Sequence, residues 1–208
     1  METGMTIEAR MRRMIIGWGR GRIFFLDDFA SLNDPASVRQ FICSMADDGF
    51  IIRLARGIYC YPELAGNEYS RKMVIPDPET IAYALAAKEN VRIIPYGDQA
   101  AAKLGLSSLV VSHRKYLTDG SPRTINLSST DKIHFNHTSE MKMFAFRNET
   151  MQMLSSAIRA LGKDYFETEE LKRRIRSILK TVPEDEFKDD ITLPPVWVGT
   201  IISDIWNN

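Results

Sequence analysis

An α+β fold in two parts is what this sequence predicts, and three observations predict it. Helical and strand-like periodicities alternate along the chain instead of falling into one class. A stretch without periodicity, rich in turn residues, separates the first 62 residues from the remainder. At 208 residues there is room for two small domains, and 44% hydrophobic, 10% aromatic and 26% charged residues make an ordinary globular composition.

The first element is an amphipathic helix over residues 7 to 18. Ile7, Met11, Met14, Ile15 and Trp18 recur at spacings of three and four, with Glu8, Arg10, Arg12 and Arg13 on the other side. Gly17, Gly19 and Gly21 stop it, and Ile23-Phe24-Phe25 follows as a short strand. Asp27 and Asp28 favour a short second helix through Leu32, since early carboxylates accept bonds from free amides. Asn33-Asp34-Pro35 opens a third helix whose stripe of Val38, Phe41, Ile42, Met45 and Ala46 ends before Gly49. Residues 50–54 and 58–61 then read as two strands joined by the tight turn Ala55-Arg56-Gly57.

Residues 63–77, with Gly66, Asn67, Ser70, Pro76 and Asp77, read as a connecting segment. A second mixed α/β domain with C-terminal helices is expected over residues 78–208. Its expected order is a helix at 78–89, a strand at 91–95 and a helix at 98–104. Strands at 115–118, 123–127 and 133–137 come next, and then helices at 151–161, 169–179 and from Leu193-Pro194-Pro195 onward.

Helix, strand, helix, helix, hairpin is the order of a winged helix-turn-helix, which predicts DNA binding by residues 1–62. Several runs also resemble the AbiEi family of antitoxins and transcriptional regulators. They are Arg56-Gly57-Ile58-Tyr59-Cys60-Tyr61-Pro62, Arg92-Ile93-Ile94-Pro95-Tyr96-Gly97, Ala100-Ala101-Ala102-Lys103-Leu104-Gly105-Leu106-Ser107, and Leu117-Thr118-Asp119-Gly120 with Arg123. The resemblance covers roughly residues 7 to 138. It implies a winged helix-turn-helix joined to an α/β domain, autoregulation of an operon, and opposition to a nucleotidyltransferase-like toxin in bacterial defence. It implies no catalysis.

Candidate contacts follow from charge placement. The 27 Lys and Arg balance 27 Asp and Glu, so recognition of a charged partner must be regional. Arg10, Arg12, Arg13, Arg20 and Arg22 form an acid-free basic run, and guanidinium forks match phosphate oxygens. On the third helix, Ser37, Arg39, Gln40 and Ser44 lie off the apolar stripe, where Arg suits guanine and Gln suits adenine. Arg53 and Arg56 flank the hairpin tip, placed for a phosphate backbone or minor groove. A second basic surface is expected from Arg92, Lys103, Arg114, Lys115 and Arg123. The expected partner is double-stranded DNA, most simply an inverted-repeat operator. The competing expectation is a protein-interaction module whose C-terminal domain docks a partner such as a toxin.

Other chemistries lack their residues. Cys43 and Cys60 sit in apolar runs without metal-ligand spacing or a disulfide framework, which points to a reducing compartment. His134 and His137, three apart on an expected strand, face opposite ways, so no metal or cofactor is expected. Gly17-x-Gly19-x-Gly21 lacks the preceding strand of a dinucleotide loop, and Glu140 falls beyond the last strand, away from a nuclease-like pairing with Asp77. The chain opens without a basic leader and apolar stretch, and no apolar run approaches about 18 residues, so the cytoplasm is the expected location.

Overall fold

The computed structural model of the chain describes residues 5–67, 70–107 and 113–208. It is a mixed α+β fold whose contacts gather into two compact units, residues 1–84 and 85–208. Among the described residues no helix is long and apolar enough to cross a membrane.

In the first unit, α1 (Ile7–Trp18) is capped by the Thr6 side chain, which accepts from the Ala9 amide. It ends at Gly19, whose φ of 86° lies in the region that glycine tolerates best. Strand β1 (Ile23–Phe25) leads into residues 26–32, which form a 3-10 helix rather than an α-helix; Asp28 holds its start by accepting from the Phe25 amide at 2.7 Å. Helix α2 (Pro35–Asp47) is the expected third helix. Strands β2 (Ile52–Ala55) and β3 (Ile58–Cys60) pair with β1 in the antiparallel order β1-β3-β2. The hairpin begins two residues later than the sequence suggests, because the Phe50 and Ile51 amides both donate to the Met45 carbonyl as the chain leaves α2.

Met11 and Ile15 of α1, Val38, Ile42 and Met45 of α2, and Phe24 and Tyr59 of the sheet share one buried cluster. Trp18 seals it, with its ring 5.4 Å from Phe24 and 5.2 Å from Phe29. Phe24 and Tyr59 are register partners, and their rings stack at 6.0 Å.

The segment expected only to connect contains an antiparallel pair, β4 (Glu63–Asn67) and β5 (Ser70–Val74). Every residue of β5 is exposed, so the ribbon has no inward apolar alternation from which a strand can be read. Helix α3 (Pro78–Glu89) follows, capped by Asp77 through the Glu79 and Thr80 amides.

The second unit holds a four-stranded sheet of β6 (Ile93–Pro95), β7 (His113–Thr118), β8 (Arg123–Asn126) and β9 (Lys132–His137), in the order β6-β7-β9-β8. β7 and β9 are parallel and the other pairs antiparallel. Residues 119–122 therefore pass across the end of β9 to reach β8, where the Gly120 carbonyl lies 2.9 Å from His137 Nδ1. A Cβ on Gly120 would sit 2.7 Å from Val91 Cγ1, so a side chain at this crossing would force Val91 or the backbone to shift.

The helices of this unit are α4 (Asp98–Lys103), α5 (Glu149–Leu161), α6 (Glu169–Leu179), α7 (Glu184–Asp190) and α8 (Val196–Asn207). α5 is central: Met151, Leu154, Ala157 and Ile158 are fully buried, packed with Ile175, Val198 and Ile202. The Ser156 hydroxyl on α5 donates to the Pro95 carbonyl at 3.1 Å, tying helix to sheet. α7 escapes the sequence reading because seven residues, with Phe187 their buried apolar side chain, show no period; Phe187 stacks on Trp206 at 3.9 Å. The neighbouring Asp190 is buried and accepts from the Arg147 and Asn148 amides at 2.8 Å, closing the start of α5.

Candidate nucleic-acid interface

The start of α2 is built by Asp34, whose carboxylate accepts from the Ser37 amide at 3.0 Å and the Ser37 hydroxyl at 2.7 Å. The Ser37 amide first, and then its hydroxyl, hold the Asp34 carboxyl below the usual carboxylate range. Asp34 is therefore the N-cap of α2, and the Ser37 hydroxyl is engaged with it. Arg39, Gln40 and Ser44 are exposed, as expected from the stripe, and Cys43 joins them on that face. Cys43 was legible too, since it lies four residues after Arg39 and three after Gln40. Asp47 and Asp48 follow at the C-terminal end, so the positive and neutral part of the face is its N-terminal two-thirds.

At the hairpin, Arg53 faces Tyr59 across the β2–β3 pair and Arg56 sits in the turn beside Gly57, whose φ is 78°. Burial pushes the Tyr59 hydroxyl up, opposed by the positive charge of Arg53. Cys43, Asp47, Arg53 and Tyr59 line one groove of about 360 Å³, which brings the exposed face of α2 and the base of the hairpin to a common edge. Arg22, Arg39, Arg53 and Arg56 are exposed and have no carboxylate partner among the described residues.

The basic run divides by role. Arg12 bonds Glu8 at 3.0 Å, reaches Asp48 at 3.5 Å and lies 4.8 Å over the Phe50 ring, clasping α1 to the end of α2. Arg20 donates to the Pro62 carbonyl at 2.8 Å and lies over the Tyr61 ring. These two guanidinium groups hold the unit together. Arg10 is half-buried on α1, and Arg13 is exposed and engaged within the chain.

In the second unit, Arg92 bonds Asp119 at 2.8 Å and covers the Phe144 ring, and Arg123 is clasped by Glu89 while lying over Phe135. Both are compensated by a carboxylate. Lys103 and Arg114 also have partners in the chain, and Lys115 stands exposed on β7. Glu140 is engaged as well: it accepts from Arg159 at 2.9 Å, and that guanidinium holds its carboxyl below the usual range. Among the described residues no three His, Cys, Asp or Glu side chains are grouped to hold a metal ion.

A family model described as a family of unknown function, DUF6088, matches residues 10–187. The chain belongs to DUF6088. None of the curated proteins matches it. A solved structure to which this DUF6088 chain is similar is the RV2827C protein from Mycobacterium tuberculosis, at 12% identity and a TM-score of 0.49, over 94% of this chain and 75% of that one.

Proposed function

We propose that residues 1–62 are a winged helix-turn-helix that binds double-stranded DNA, and that the chain is a cytoplasmic transcriptional regulator of the AbiEi antitoxin type. In this reading α2 enters the major groove, the β2–β3 hairpin is the wing, and the chain represses its own operon as part of a toxin-antitoxin defence system rather than catalysing a reaction. One observation carries it: Arg39, Gln40 and Ser44 are exposed on α2, and Cys43 and Asp47 of the same helix line a groove with Arg53 of the hairpin. Arg and Gln suit guanine and adenine edges, and Arg22, Arg53 and Arg56 suit phosphates.

Fluorescence anisotropy with the DNA upstream of its own gene, against a scrambled duplex at two salt concentrations, tests the proposal. The native chain should prefer the upstream duplex. An Arg39→Ala, Gln40→Ala variant should lose at least about tenfold of that preference, each good base contact being worth about 1–3 kcal/mol. Equal, weak binding to both duplexes would overturn sequence-specific regulation at that site.

A second reading, docking of a protein such as a toxin through the C-terminal domain, is favoured by Val196, 87% exposed, and the adjoining Trp197 at the start of α8. An apolar interface of that kind would hold as salt rises, whereas DNA binding would weaken steeply.

A further inference from the structure

The open face of the sheet in the second unit plays no part in the reading above. Strand alternation sends His113 and Lys115 of β7 to the same side as Lys132 and His134 of β9. The parallel register sets His113 opposite Lys132 and Lys115 opposite His134. At about 3.3 Å per residue and about 4.8 Å between strands, the four groups occupy a patch roughly 7 by 5 Å at the backbone. The two imidazoles meet edge to face at 5.7 Å, and His134 Nδ1 lies 2.9 Å from the Thr124 hydroxyl on β8.

The charges of this patch differ from those of the neighbouring arginines. Arg92, Arg123 and Arg159 each have a carboxylate in contact, whereas Lys115 and Lys132 form no ion pair among the described residues. Burial, and then the charges of His113, Lys115 and Lys132, push His134 below its ordinary 6.5. Those are the titratable groups facing it from β7 and from its own strand, and β8 contributes the neutral Thr124. Such a field favours an anion, and one laid on the patch relieves it.

His113, Lys115, Thr124 and Asn126 are exposed on this face. An open sheet suits an extended ligand crossing it better than an enclosed small molecule. Lysines offer charge to phosphates, imidazole planes offer stacking, and Thr124 and Asn126 offer hydrogen bonds to base edges. We propose that the β7–β9–β8 face binds single-stranded nucleic acid through His113, Lys115, Lys132 and His134. The proposal is independent of the winged-helix reading and concerns a different surface.

Anisotropy of a labelled 12-residue oligothymidylate with the full chain is the test, with the same sequence as a duplex and inorganic phosphate as competitors. The native chain should bind the single strand, and Lys115→Gln, Lys132→Gln should weaken it about tenfold and flatten the log–log salt dependence by about 1.4. Binding should be several-fold tighter at pH 5.5 than at pH 7.5, and His113→Gln, His134→Gln should remove that tightening. Arg39→Ala, Gln40→Ala should leave all of it unchanged, which separates this proposal from the one above. The substituted residues are surface groups, and an unchanged melting curve establishes that each variant is folded. Absence of oligonucleotide binding, binding indifferent to the lysine pair, or competition by duplex or phosphate as strong as by the single strand would each overturn the proposal.

Discussion

Asp190 shows how much one side chain can decide. Its carboxylate is 1% exposed and satisfies the Arg147 and Asn148 amides at the start of α5. Asp190→Ala leaves two donors unsatisfied and should lower unfolding stability by about 2–4 kcal/mol, read from urea denaturation. The two cysteines part company in the same physical terms. Burial, reinforced by Glu63, pushes the Cys60 thiol up to about 11, whereas Cys43 lies exposed on α2. A thiol reagent at pH 8 should therefore modify one cysteine in the native protein and two in denaturant, with Cys43→Ser abolishing the native reaction. Asp119, Glu140 and Asp34 all titrate below their ordinary values of 3.8, 4.5 and 3.8. Depressed carboxylates contribute stability that is complete above those ordinary values and lost as pH falls through the lower folded-state ones. The urea midpoint should thus hold constant from pH 7 to about 5 and fall below about pH 4.5, less steeply in Glu140→Gln.

Among the elements, the β4–β5 ribbon is the least supported. Two strands with an exposed surface are marginal alone, and Gly66, at φ 113°, leaves no room for a Cβ beside the Ser70 carbonyl. Gly66→Ala should unpair the ribbon while leaving the melting temperature of the chain nearly unchanged. Hydrogen exchange of the amides in residues 63–74 would show the loss. The same ribbon marks where sequence reading stops: a strand announces itself by what it buries, and this one buries little. Helix α1, by contrast, is legible to its terminal residues because Met11, Ile15 and Trp18 all face one core. Exposure of Arg39, Gln40 and Ser44 was equally legible from the period of α2. The commitments of Arg12, Arg20, Arg92 and Arg123 were not, since their partners are aromatic faces, a carbonyl and carboxylates that lie up to 52 residues away. Lys132 and His113 went unnoticed for a related reason, because they meet only through the parallel register of β7 and β9.

On the scale of the whole chain, a balance of 27 basic and 27 acidic residues conceals local asymmetry that only folding produces. Each unit carries its own buried cluster, one around Phe24, Phe29 and Ile42, the other around Met151, Leu154 and Ile202. Phe24→Ala should cost about 3–5 kcal/mol in the first unit. Hydrogen exchange should show the loss across α1 and α2 while the amides of α5 keep their protection. The order β6-β7-β9-β8 also constrains how the second unit can assemble. A ribosome delivers β8 before β9, so β8 has no neighbour to pair with when it emerges, and β9 must enter a vacant lane between two strands already made. Residues 119–122 cross the end of that lane in the finished sheet, and the absence of a side chain at Gly120 lets them lie against Val91 as they do so. The sheet is thus completed from its middle, by the last strand to be synthesised.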